Sequence, residues 1–324
     1  MAVEGRAFRG ALGDADLRLL RVFRAVVEAG GLSAAESVLN VGRSTISTHI
    51  ADLERRLHMR LCRRGRGGFA LTEHGQVVYD ATLKLLASLE DFRAEVNGAH
   101  AQLAGELNLA FVEHSTRHPG FRLDAALRAF SERAPGVHVN LEARGIAEIE
   151  QAVLHGRLHV GIVIANRRLA GLNYRYLLSE IQAPFCAKGH PLFGRPDASI
   201  TLDEIASQDY VSRSYIDESK ARQGYLRGAP AATAHNLEAV VTLILSGRYI
   251  GIMPTDFPEE WVRQGMIRAI RPDLTSYSRD FEVVTRKGTP PTPVVAAFLD
   301  ELFRSHQGAK PAAPRSPGSP RRRR

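Results

Sequence analysis

The chain has 324 residues, 44% of them hydrophobic, enough for two or three cored domains at roughly 100 to 200 residues each. Two cysteines, Cys62 and Cys186, exclude a disulfide framework and a cysteine-rich zinc site, and are read as packing residues. The net charge of +8 sits at the two ends: residues 308–324 carry +6, residues 1–75 carry +4, and the remainder is near −2. The N-terminus lacks the apolar run of a signal peptide, and no stretch approaches the ~18 apolar residues that cross a bilayer, so a cytoplasmic location is expected.

Asp14 or Asp16 can cap a first helix with Leu17, Leu20, Phe23 and Val27 on one side, stopped by Gly30 and Gly31. Ser33 and Glu36 have capping-box spacing for a short second helix, in which each side chain satisfies a backbone donor of the other residue. Residues 40–42 then turn the chain into "VGRSTISTHIADLERRL", where Ile46, Ile50, Leu53 and Leu57 recur at helical spacing. Its other face holds Arg43, Ser44, Thr45, Thr48 and His49, short polar residues that favour caps over helix interiors. Helix, tight turn, helix is the geometry that presents a second helix to the DNA major groove. "RLCRRGRGGFALTEHG" follows, a glycine-bent basic hairpin that reads as a wing resting on phosphates, or as a solvated charged loop.

From Thr72 to about Asn97 a long helix carries Val78, Leu85, Leu89, Phe92 and Val96 as a coiled-coil-like stripe, which suits a dimerising linker. Beyond Gly105 the period changes. Strands at "ELNLAFV", "VHVNLEA" and "HVGIVIA" alternate with helices over 119–134 and 146–156. A similar unit spans about 166–268, with strands at "IQAPFCA", "YVSRS" and "YIGIMP" and helices near 201–207 and 236–246. "DFEVVTRKG" and a helix over 292–304 return to complete the first unit. Such alternation implies an α/β sheet with right-handed crossovers. The final stretch, 308–324, is rich in Pro, Gly and Ser and reads as a disordered basic tail.

There is no GxSxG, Walker or GxGxxG motif, neither cysteine has a catalytic context, and the histidines at 114, 118, 138, 155 and 159 are spread across several elements. Neither an enzyme nor a metal or cofactor site is expected.

From Leu17 to Gly75, and less strongly to about residue 305, the sequence resembles the LysR-type transcriptional regulators. Ser47, Leu53, Glu54, Leu57, Leu61, Arg64, Leu71, Thr72 and Gly75 stand where that family's pattern places such residues. "LRAFSERAPGVHVNLEARG", "VLHGRLHVGIVI" and "ILSGRYIGIMP" are similar to its effector-domain segments. Departures are Glu36 in place of an alanine, Gly42 in place of a serine cap, and His58 in place of a glycine. The resemblance implies a winged helix-turn-helix over 1–72, a linker helix over 73–103, and a two-subdomain α/β effector domain of periplasmic-binding-protein type over 104–307. Within that domain, subdomain I covers 104–165 and 269–307, and subdomain II covers 166–268. It also implies a homodimer or homotetramer that binds double-stranded promoter DNA, answers a small-molecule effector, and has RNA polymerase as a further partner.

For DNA, Arg43 is the first choice for base reading, since a guanidinium can pair bidentately with guanine. Ser44, Thr45, Thr48 and His49 share its face, His49 meeting a phosphate or only solvent. Ser33 and Ser47 suit phosphate oxygens, and Arg64, Arg66 and Thr72 set the wing on the backbone. For the effector, ligands in open α/β sheets lie outside the carboxyl ends of strands. His114, Ser115, Thr116, Arg144, Ser212, Arg213 and Ser214 all follow or end such strands, although serine and threonine there equally serve as helix caps. Together they suggest an anionic metabolite, such as a carboxylate. The rival reading is a solute-binding α/β protein or enzyme with a basic helical assembly domain; the polar-faced helix and basic wing of residues 41–72 argue against it.

Overall fold

About four helical turns from Asp14 to Glu28 form α1, whose Leu19, Leu20, Val22, Phe23 and Val26 are buried. We describe a computed structural model, covering residues 12–65, 68–99, 103–165, 167–214, 221 and 224–307. Two compact units divide it, one running to Phe92 and one from Arg93 onward, apart from residues 155–157. In the first, α1 is followed by α2 (Leu32–Leu39), α3 (Arg43–Leu57), a hairpin of β1 (Cys62–Gly65) and β2 (Gly68–Leu71), and the start of α4 (Glu73–Ala99). Ile46, Ile50 and Leu53 of α3 are fully buried with Phe23 and Val26 of α1, so the helical period of the sequence is the period of the core.

Two expected caps are replaced. The residue capping α1 is Gly13, and Asp16, the third helical residue, reaches back to accept its N–H at 3.0 Å. Buried Asp16 also receives the Arg56 guanidinium at 2.8 Å, tying α1 to the end of α3. The expected Ser33–Glu36 capping box does not form: α2 is entered from Gly31, at φ 150°, and Ser33 is its exposed second residue. On α4, Tyr79 and Leu83 join the core, while the expected stripe of Val78, Leu85 and Leu89 is half-buried and Phe92 and Val96 are exposed. The helix thus presents apolar surface on a second face, as a dimerising helix would.

In the second unit, β3 (Ala104–Val112), α5 (Leu123–Arg133), β4 (Gly136–Arg144), α6 (Ile146–Leu154) and β5 (Val160–Val163) form a parallel βαβαβ run. Then come β6 (Leu172–Ala187), α7 (Leu202–Ala206), β7 (Tyr210–Arg213), β8 (Ala232–Ala234), α8 (Leu237–Leu245), β9 (Ile250–Pro254), α9 (Glu259–Arg263) and β10 (Ile267–Ala269). The chain closes with α10 (Pro272–Thr275), β11 (Tyr277–Arg286) and α11 (Pro293–Ser305). All nine strands belong to one sheet of order β4-β3-β5-β11-β6-β9-β7-β8, with β10 also paired to β6.

Strands β6 and β11 hold the architecture together. The 16-residue β6 pairs with β11 along its first part and with β9 and β10 along its last. Strand β11 pairs also with β5, and its register shifts between Phe281 and Glu282. One apolar core surrounds β3, β5, α5, α6 and α11, where Phe130 and Phe298 meet edge to face at 5.6 Å. Another gathers Phe185, Val240, Ile244, Met253 and Phe257 between α8 and strands β6 and β9. Both cysteines are buried and neither is in a disulfide. No helix among the described residues is long and apolar enough to cross a membrane.

Candidate functional site

The polar face of α3 is as the sequence reads: Arg43, Ser44, Thr45 and Thr48 are exposed, and Ser47 and His49 are half-exposed beside fully buried Ile46 and Ile50. Short side chains keep that surface low enough for a helix backbone to approach base edges, and Arg43 stands at its N-terminal end, where recognition helices make their base contacts. Gly42, at φ −66°, leaves the helix without a capping side chain. Glu36, from α2, supplies one: its carboxylate accepts the Arg43 backbone N–H at 2.6 Å. The two departures from the family pattern, Glu36 and Gly42, are thus physically linked. Glu36→Ala is expected to cost about 1 kcal/mol and to raise amide exchange selectively at residues 43–46; unchanged protection there would refute the cap.

The wing is pinned from below. Glu54 accepts the Leu61 and Cys62 N–H groups at 2.8 and 3.2 Å, and Thr72 donates its hydroxyl to the Arg60 carbonyl at 2.6 Å. The same hydroxyl accepts the Gly75 N–H at 2.9 Å, making Thr72 the cap of α4. Arg64 pairs with Phe69 in the hairpin, and Arg66 lies outside the described residues, as does the 308–324 tail.

In the second unit, a narrow cavity of about 30 Å³ opens at the carboxyl ends of β3 and β7. His114 and Arg213 of the expected effector residues line it; Ser115, Thr116, Arg144, Ser212 and Ser214 are not among its walls. Ser115 is buried and bonds the Val112 carbonyl at 2.5 Å, holding the turn that carries His114 at φ 66°. Thr116 is exposed, Arg144 pairs with Glu142, and Ser214 meets the His235 Nδ1 at 2.8 Å.

The remaining walls are Ile164 just after β5, Pro254, Asp256 and Phe257 at and after the end of β9, Arg117 and His118 beyond β3, Leu237 at the start of α8, and Glu180 within β6. His114 packs edge-on to Phe257 at 4.8 Å, and the Arg117 guanidinium lies 5.5 Å from that ring's centre. His118 Nε2 stands 3.9 Å from Asp256. Burial lowers the pKa of both histidines, against the pull of Glu238 on His114 and of Asp256 on His118. Burial likewise pushes Glu180 up to about 7, despite Arg213, Arg279 and a hydrogen bond from Gln182. Asp256 is also raised by burial, with His118 opposing. Loss of water here disfavours isolated charge, and opposite charges placed nearby partly restore it. Among the described residues no group of His, Cys, Asp and Glu could hold a metal ion.

Residues 17–76 match the bacterial regulatory helix-turn-helix protein, lysR family, and residues 100–307 match the LysR substrate binding domain. The chain is 44% identical over 293 residues to the HTH-type transcriptional activator BauR of Pseudomonas aeruginosa, covering 90% of this chain and 96% of that one. Its fold superposes on a full-length OxyR variant from Pseudomonas aeruginosa with a TM-score of 0.64 at 17% identity, covering 96% of this chain and 100% of the other. Full-length CbnR complexed with its target DNA gives 0.60 at 21% identity, covering 89% and 99%. With family models matched over both parts of the chain and a 44% identical relative covered over nine-tenths of both sequences, the chain belongs to the LysR family of DNA-binding transcriptional regulators.

Proposed function

We propose that this regulator acts in the cytoplasm, without catalysis, as an oligomer that reads promoter DNA through Arg43 and its neighbours on α3, and that its effector enters the cavity between His114 and Arg213. The observation that supports the effector reading is Arg213, 1% exposed, at the end of β7 in the wall of that cavity. Ligands of open α/β sheets lie outside the carboxyl ends of strands, and a guanidinium placed there suits a carboxylate. Ser33, Ser44, Thr45, Ser47, Thr48, His49, Arg64 and Arg66 complete the proposed DNA surface; Thr72 supports it from beneath.

Arg43→Ala is expected to lose about 1 to 3 kcal/mol of discrimination at one base pair. Binding titrations against operator and single-base variants check this; a uniform loss on all DNA would make Arg43 a phosphate contact instead. Arg213→Gln is expected to abolish the effector-dependent change in operator binding, with thermal melting as the control for folding. A variant that folds and still responds would place the effector elsewhere.

A further inference from the structure

The first turn of α3 presents two opposite charges side by side. Arg43 is the exposed first residue of the helix, and the carboxylate that accepts its backbone N–H at 2.6 Å belongs to Glu36, half-exposed on α2. That bond uses Oε1; among the described residues Oε2 has no hydrogen-bond partner. A serine in place of Gly42 would cap the helix without charge, and a Cβ there would meet nothing within 4 Å. Space therefore does not force the cap to come from another helix. The cap is nonetheless an anion, in a unit that binds a polyanion.

The N-terminal residues of a recognition helix are those that reach base edges, so a group bonded to the Arg43 N–H stands at the mouth of the groove. Phosphates repel a carboxylate there, and only a hydrogen-bond donor makes its presence favourable. In the major groove the donors are the amino groups of cytosine and adenine. Adenine sets its N7 acceptor beside the amino group, against which an acceptor-only carboxylate is poorly matched, whereas cytosine N4 has no acceptor beside it. Resting on the reading of α3 as the helix that enters the groove, we propose that Glu36 is a second base-reading residue, its Oε2 accepting an N4 amino proton of a cytosine. That cytosine lies in the base pair of the guanine read by Arg43 or in the adjoining one. The cap bond holds the carboxylate in place before DNA arrives, which lowers the ordering cost of the contact. Arg43 and Glu36 then match the acceptor edge of guanine and the donor edge of cytosine. A thymine or guanine in the cytosine's place sets an oxygen against the carboxylate.

The test is selection by the full chain from a duplex library with a randomised centre, followed by anisotropy titrations of the selected operator and its single-base variants. Wild type should select the cytosine, and its replacement by thymine should weaken binding about fivefold or more. Glu36→Ala should reduce that penalty to under about twofold. Glu36→Gln, with its amide oxygen on the cap and its amino group outward, should move the preference to thymine or guanine, whose O4 and O6 accept. It also carries the test if the alanine variant does not fold. Gly42→Ser combined with Glu36→Ala restores a cap without the charge, and the preference for cytosine should stay lost. If it returns with the serine cap, or if the Glu36 variants shift affinity equally for all sequences, Glu36 is a cap alone and the proposal falls. Arg43→Ala separates the two readings. If it relaxes its guanine while the Glu36 variants relax nothing, α3 still enters the groove and only the Glu36 contact is refuted; if neither changes any preference, the reading of α3 falls as well.

Discussion

Gly75→Ala is expected to destabilise the DNA-binding unit by about 3 kcal/mol and to remove operator binding. A Cβ on Gly75 would sit 2.0 Å from the Leu61 carbonyl oxygen and 2.9 Å from its carbon. That carbonyl cannot retreat cheaply. It accepts the Thr72 N–H at 3.0 Å, and the Leu61 N–H is held by Glu54. The helix cannot retreat either, because the Gly75 N–H is the one bonded to the Thr72 hydroxyl. Relief requires lifting α4 away from the root of the wing, which breaks both sets of bonds and opens the core around fully buried Leu61. Against a typical total of about 5 to 15 kcal/mol for a domain, the loss is severe. Gly42→Ala provides the contrast, since its φ is −66° and nothing lies within 4 Å of the added carbon; a change of at most about 0.5 kcal/mol is expected there. Urea unfolding followed by far-ultraviolet circular dichroism measures both, and similar midpoints for the two variants would show that the root of the wing yields freely.

Between about pH 4.5 and pH 7, burial of Glu180 is expected to make the second unit less stable as pH rises. The unfolded carboxyl ionises near 4.5, whereas the folded one keeps its proton to about 7. Over that interval the folded state binds the proton that the unfolded state has released, so alkalinisation favours unfolding by up to about 3 kcal/mol, and the dependence levels off above pH 7. Arg213, Arg279 and Asp256 are the charged groups acting on Glu180, with Gln182 as its hydrogen-bond donor. Histidines 114 and 118 work in the opposite sense, since their lowered folded values add stability as pH rises toward 6.5. The difference between wild type and Glu180→Gln therefore isolates the carboxyl: the gap in stability should move in favour of the variant as pH rises from 5 to 7. A constant gap would mean that Glu180 is already ionised in the folded protein.

Periodicity made most elements readable. The apolar residues of α3 alternate with polar ones because one side packs and the other meets solvent, and "YIGIMP" reads as a buried strand because both faces of β9 are covered. The opening of β6, "LNYRYLL", escaped because exposed and half-buried residues interrupt its alternation, and β10 is only three residues long. The walls of the cavity follow the same divide. His114 and Arg213 were accessible to reasoning because strand ends mark ligand sites. Glu180 lies in the middle of a strand and Asp256 in a turn, and only the folding of the sheet brings them to Arg213. Glu36 shows the limit of local grammar: its spacing from Ser33 fits a cap for its own helix, yet its carboxylate serves the next one.

The two long strands β6 and β11 bear on how a bound effector is felt. Because the halves of the second unit are joined through the sheet itself, neither can swing as a lid on a slack loop. Any approach of the halves must be taken up as torsion along β6 and β11, and the register shift at Phe281 and Glu282 marks where that ribbon is softest. Glu180 pairs in register with Arg279, two residues before the shift. A change in the charge of Glu180 is therefore felt close to that shift, in two strands that run through both halves.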